Sequence, residues 1–330
     1  MKKILVLGAA TAMSFGAAAA DMSWGGYAQI EGKSGEGTNS STTGRGMKFD
    51  QGLVRFIAKA DGTRHYGKVQ MDFHHTNGAV AKDIILGYKG NKFANFRVGK
   101  MKEPLGMEFN EPGHARDFVD SGYTQALGFG RMVGGQLYGD LVAGLSYNLF
   151  FGNPNNDGQN GTDNLYGINL AYDRNTFHFQ AGLGIDEDAS NNLGGEDVKL
   201  TNVAARYGLG ALTLKAEYMK KELGVYSWSS IYAHVGYKFA DNMEFAVRHF
   251  INNETDDTVN KVVESDISNT WLGFNYWVDK AARFQFNYVL VSGDDRDTKS
   301  TTSGTTTTQA WDESGAFTAN AFLAQYQVKF

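Results

Sequence analysis

From Asp21 onward the chain alternates apolar and polar side chains in segments of about ten residues. The last segment shows this most plainly. Phe322, Ala324, Tyr326, Val328 and Phe330 fall on one face of an extended strand, and Leu323, Gln325, Gln327 and Lys329 on the other. A strand so patterned has one face for an apolar medium and one for water. The same reading predicts strands at 22–33, 51–60, 65–74, 81–89, 93–101, 131–139, 141–151, 164–173, 176–185, 198–207, 211–221, 228–239, 243–252, 269–278, 282–292 and 316–330.

The breaks between strands alternate in length. Short ones carry tight-turn residues: Asp61-Gly62, Gly90-Asn91, Gly139-Asp140, Asp173-Arg174-Asn175, Gly208-Leu209-Gly210, Asp241-Asn242 and Asp279-Lys280. Long polar ones cover 34–49, 102–130, 152–163, 186–197, 253–267 and 294–315, while 75–80 and 222–227 are brief. Sixteen strands with turns at one end and loops at the other predict an all-β fold, a 16-stranded antiparallel transmembrane β-barrel. Pro104, Pro112 and Pro154 all fall in loops, where no ladder bond is lost. Aromatic residues bracket the turns (Tyr88 and Phe93, Tyr172 and Phe177, Tyr237 and Phe239, Tyr276 and Trp277), as rings at a bilayer interface would.

The N-terminus changes the compartment. Met1-Lys2-Lys3, an apolar run from Ile4 and Ala17-Ala-Ala-Ala20 predict a signal peptide over 1–20 and a barrel domain over 21–330. The protein is therefore expected in the outer membrane of a Gram-negative cell, against a lipid bilayer and lipopolysaccharide. The absence of cysteine excludes a disulfide scaffold and thiolate chemistry. Removing the leader leaves 29 basic against 36 acidic residues, net −7, which gives no support for nucleic-acid binding.

Facing positions predict where charge lies. With Val54, Phe56, Val69, Phe73, Leu214, Val235, Phe284 and Phe286 outward, the inward bases are Arg55, Lys59, Lys68, Lys89, Arg97, Arg206, Lys215, Lys238, Arg248, Arg283 and Lys329. The inward acids are Asp72, Asp83, Glu217 and Glu244, so the wall is basic by about seven charges and enriches anions. The other reading is that these charges pair across the wall and only solvate it. Acids gather instead in the outer loops, from Asp186 to Asp297, where divalent cations bridging lipopolysaccharide would meet them. The longest break, 102–130, is the expected constriction loop. It carries Lys102, Glu103, Glu108, Glu111, His114, Arg116, Asp117 and Asp120, with Lys100 and Arg131 at its roots. Folded inward, it is expected to set its acids opposite Arg55, Lys68 and Arg97; an exposed extracellular loop is the alternative.

Two resemblances follow from these residues. The terminal strand ending on Phe330 resembles the closing strand of bacterial outer-membrane barrels, which implies the outer-membrane assembly machinery as a partner. Gly99-Lys-Met-Lys-Glu-Pro-Leu-Gly-Met-Glu108 followed by Gly130-Arg-Met-Val-Gly-Gly-Gln136 resembles the signature of the phosphate-selective porin O/P family. That resemblance implies a homotrimeric sixteen-stranded porin, loop 3 folded inward and basic residues guiding anions. Lys100, Lys102 and Arg131 match its motif positions.

The remaining signals are slight. Gly128-Phe-Gly130 is loop glycine without a phosphate-loop context. Asp186-Glu-Asp188 lacks calcium-loop spacing. His249, on the lipid-facing parity, has no evident serine partner. The sequence thus predicts a non-enzymatic diffusion porin for small solutes with a mild anion preference and no cofactor. A cation-preferring porin and a lipid-active barrel enzyme are the alternatives.

Overall fold

The computed structural model describes residues 20–35, 48–74, 78–156, 159–160, 164–187, 196–256, 263–293 and 320–330. The expected leader lies, but for Ala20, outside them. Alternating segments become β1 (Asp21–Gly35), β2 (Lys48–Asp61), β3 (His65–His74), β4 (Gly78–Tyr88), β5 (Asn95–Lys102), β6 (Arg131–Val142), β7 (Leu145–Asn156) and β8 (Leu165–Arg174). They continue as β9 (Phe177–Asp186), β10 (Val198–Leu209), β11 (Leu212–Leu223), β12 (Tyr226–Ala240), β13 (Met243–Asp256), β14 (Val263–Trp277), β15 (Ala282–Gly293) and β16 (Ala321–Lys329). A two-residue strand, Gln159–Asn160, pairs only with the tip of β7.

Each strand pairs antiparallel with its sequence neighbours, and β1 pairs with both β2 and β16, so the sixteen-stranded sheet closes into a barrel. Closure leaves no free edge, which a chain crossing a membrane by strands requires. The seam runs from Tyr27 opposite Lys329 to Gly35 opposite Ala321. Past β16 it continues through Phe330, whose N–H donates to the Gly26 carbonyl at 3.1 Å and whose carbonyl accepts from Gly26 N–H at 2.9 Å.

Most tight turns sit where their residues predict, but the one expected at Gly139-Asp140 does not. β6 continues to Val142 and turns at Ala143-Gly144, with Gly144 at φ +83°, because the ladder to β7 tolerates an irregularity between Asp140 and Val142. The 253–267 break is also shorter than expected, since β13 runs to Asp256 and β14 starts at Val263. The strand expected from 316 begins at Ala321.

Faces follow parity. Phe56, Val235, Tyr237, Phe245, Phe284, Phe286 and Tyr326 are exposed on the outside. Neighbouring strands there stack rings, Phe239 to Phe245 at 5.0 Å and Phe284 to Tyr326 at 4.5 Å. Trp277 departs from the expected girdle: it lies beneath the Lys238 and Arg283 cations at 5.6 and 5.8 Å, on the inner face. Inside, buried amides satisfy one another across strands, as Gln29 to Gln327 at 2.8 Å and Gln285 to Asn275 at 2.8 Å.

The inner face is not polar throughout. Leu165, Leu200, Met219, Tyr232, Phe250, Trp271, Val289 and Leu323 are buried in one apolar cluster with Leu105, Phe118, Tyr123 and Phe129 of the β5–β6 segment. Alternation alone assigned water to that whole face. Where a segment of the chain covers the wall, inward side chains follow the segment's chemistry instead.

Candidate functional site

The segment between β5 and β6 is built by local chemistry. It leaves β5 through a turn at Gly106, φ +82°, a backbone state that L side chains avoid, and enters the short helix α1 (Met107–Asn110). The Asn110 amide donates to the Glu103, Leu105 and Gly106 carbonyls at 3.2, 2.8 and 2.9 Å, closing the turn on itself. The Glu217 carboxylate of β11 accepts the free Met107 and Glu108 N–H groups of α1 at 2.6 and 3.2 Å, as an acid should at a helix start. A 3-10 turn (Gly113–Ala115) and a second short helix, α2 (Tyr123–Leu127), follow. Gly122 precedes α2 because a Cβ there would meet Phe250 Cζ at 2.0 Å.

Charged and amide side chains tie the segment to the inner face of β10–β16 and β1. Glu108 pairs with Arg248 of β13, and its carboxylate also accepts from Gly122 N–H at 3.0 Å and Thr124 Oγ1 at 3.2 Å. Lys215 of β11 bridges Glu111 at 3.1 Å and Asp117 at 2.7 Å. Asp117 lies 3.3 Å from His234 of β12, and its carbonyl accepts from Asn275 of β14 at 3.0 Å. Arg283 of β15 donates to the Arg116 carbonyl at 2.8 Å and, with Gln327 of β16, to the His114 carbonyl at 3.2 and 3.1 Å. Asp120 pairs with Lys33 of β1 at 3.0 Å. Arg248 is also ringed by Phe118, Phe250 and Trp271, their ring centres 4.4, 4.7 and 4.8 Å away.

These pairings correct the expected facing of acids toward Arg55, Lys68 and Arg97. Each of those cations has a partner on its own wall: Arg55 donates to Asp72 at 2.6 and 2.7 Å, Lys68 to Asp83 at 2.6 Å, and Arg97 to the neutral Gln136 amide at 2.9 and 2.6 Å. The loop acids turn the other way because Lys215 and Arg248 stand where the apolar cluster brings the segment down.

A cavity of about 300 Å³ remains beside β1–β5, lined by Arg55, Lys59, Lys68, Arg97 and Lys102, with Asp83 as its one acid among the described residues. The turn Asn110–His114 forms its other side. Arg131 adds a further cation, 3.1 Å from Asp83. Lys102 donates to the Phe109 carbonyl, so its charge meets a neutral acceptor. A second cavity of about 320 Å³ adjoins it toward Lys329 and Phe330. Tyr27, Ile57, Lys59 and His114 line both and form the throat between them.

Loop groups are tuned by where they sit. Burial pushes the Glu103 carboxyl up to about 8, against the opposing pull of the Gly130 and Glu103 amides. Burial also raises Glu111, although Lys215 opposes it. Asp117 is lowered despite its burial, because Lys215 and His234 favour the carboxylate. Burial, then positive Lys329, Arg283 and Arg55, hold His114 below its ordinary value.

Other expected site residues lie elsewhere. Arg206 and Lys238 are exposed near the short turns; Lys59 is exposed as well, but at the cleft. Lys100 is on the parity of Phe96 and Val98, which face outward. Arg116 donates to Gln125 within the segment, at 2.7 Å. Sequence reasoning passed over Tyr27, Ile57 and Asn202. The inward parity of Tyr27 and Ile57 was readable; that Asn202 would accept from Gly106 N–H at 3.2 Å was not.

A closed antiparallel barrel with an apolar exterior and charged side chains lining interior cavities has the architecture of an outer-membrane β-barrel. The chain belongs to the Gram-negative porin family, whose model matches residues 6–328, and this places it in the outer membrane. Its fold is similar to that of OmpF of Salmonella typhi in complex with daunomycin, at 15% identity, covering 94% of this chain and 97% of that one, with a TM-score of 0.68. It is similar also to the anion-selective porin from Comamonas acidovorans (13% identity, 94% and 100% covered, TM-score 0.66) and to OmpT of Vibrio cholerae (15%, 94% and 98%, 0.65). No curated protein matches the chain.

Proposed function

We propose that the protein is a passive diffusion porin with a mild preference for anions, in which the 103–130 segment is the constriction. Solutes pass along the β1–β5 wall, and the opposite half of the barrel is filled by the segment and its apolar bed. The observation that carries the sign of selectivity is the cleft wall: Asp72 and Asp83 offset Arg55 and Lys68, which leaves Lys59 and Arg97 without an acid among the described residues, while Glu108, Glu111, Asp117 and Asp120 are taken up by cations of other strands. In a narrow space between low-dielectric walls this imbalance enriches anions. No chemistry and no cofactor enter the mechanism.

A trimeric assembly, export by the 1–20 leader and barrel insertion through the terminal strand belong to the same proposal. So does the finer resemblance to phosphate-selective porins. Of its three motif cations, Lys102 lines the cleft and Arg131 holds Asp83, whereas Lys100 points away from it. Reversal potential in a planar bilayer under a potassium chloride gradient tests the anion reading; a cation-selective channel would overturn it. The reading from another class, a lipid-active barrel, would need an outward nucleophile and base. His249 on that face is bonded to Thr270 Oγ1 at 2.9 Å, and turnover of phospholipid by the purified protein would favour it.

A further inference from the structure

The throat between the two interior cavities differs from their walls. Tyr27, Ile57, Lys59 and His114 line it, one cation among an alkyl and two ring side chains. The His114 ring stands 5.4 Å from the Tyr27 ring, and the Arg55 guanidinium lies over the Tyr27 ring at 5.3 Å. The His114 carbonyl is held by Arg283 and Gln327, which keeps the turn carrying this ring beside the path. Ile57 sits on the inward parity of β2 between Arg55 and Lys59, each about 7 Å from it along the strand. Cations flank the throat at both ends: Lys68, Arg97 and Lys102 on one side, Lys329 on the other.

We propose that this throat is a binding subsite for small organic carboxylates carrying an apolar body, the carboxylate held by Lys59 or a flanking cation and the hydrocarbon lying on Ile57 and the Tyr27–His114 rings. It rests on the reading of the cleft as the path of permeating anions and names which anions it favours. The spacing suits the class. A single aromatic ring together with its carboxylate spans roughly the distance from Ile57 to either neighbouring cation. A phosphate fits worse: its oxygens want donors on several sides, and pressing them against an isoleucine strips water without replacing it. Arg97 holds a neutral acceptor, the Gln136 amide, so its charge remains available to hand a carboxylate toward Lys59.

The test uses the full-length protein in planar bilayers, with chloride current measured while benzoate, acetate or inorganic phosphate is added. Benzoate should reduce the current saturably at about a tenth of the acetate or phosphate concentration, the factor that roughly 50 Å² of buried apolar surface supplies. Ile57→Val should keep that advantage and Ile57→Asn should lose it. Equal blocking by the three anions, stronger blocking by phosphate, or no blocking while the channel stays anion-selective would each overturn the subsite and leave the anion porin standing. A cation-selective wild-type channel would remove both.

Discussion

Arg248 of β13 and Glu108 of α1 form an ion pair with both side chains almost wholly out of solvent, 5% and 4% exposed, joining positions 140 residues apart. The pair sits where the β5–β6 segment meets the far wall, and Gly122 and Thr124 share the carboxylate. It fixes the segment's height in the barrel, which no strand ladder does.

Removing one partner leaves the other charge buried and uncompensated. Glu108→Gln and Arg248→Met should each cost about 3–5 kcal/mol, seen as a lower urea midpoint for the refolded protein, and should add open-channel noise. The double variant Glu108→Gln with Arg248→Met keeps an acceptor for Gly122 and Thr124 and should recover much of the stability. Additive losses would show that the pair has no special place.

Glu103, with its carboxyl fully buried and raised to about 8, makes stability depend on pH. The folded state holds the proton longer than the unfolded chain, so stability falls as pH rises from about 4.5 to about 8 and then levels off. Glu103→Gln keeps the shape without the charge. It should raise the unfolding free energy at pH 8 by an amount on the order of 4 kcal/mol and leave it nearly unchanged at pH 4.

His114 lies in the throat, and its depressed pKa keeps it neutral at pH 7. Acidification that protonates it adds a cation to the path, so anion selectivity should increase as pH falls below the ordinary histidine range. His114→Gln should flatten that slope in reversal-potential measurements. An unaltered slope would place the titration elsewhere.

Lys59 makes no ion pair among the described residues and is solvated, so its charge can be reversed at little structural cost. Lys59→Glu should shift the permeability ratio severalfold toward cations, most strongly at low salt where screening is weakest. Trp271→Ala, at a side chain 1% exposed, should do the opposite: a loss of about 3–5 kcal/mol with selectivity intact at temperatures where the protein stays folded.

Local chemistry in the chain determined the barrel. Period-two alternation has to put Phe284, Phe286 and Tyr326 on one side and Gln285, Gln325 and Gln327 on the other, and asparagine or glycine at 175, 210 and 224 can close turns that other residues resist. The same pattern named Arg55, Lys68 and Arg97 as inward. What alternation cannot encode is what an inward residue meets, because that depends on strands far apart in sequence and on a segment crossing between them. So the aim of Glu108 and Asp117, the apolar bed of Phe250 and Trp271, and a throat assembled from β1, β2 and the turn at His114 were decided only by the tertiary structure.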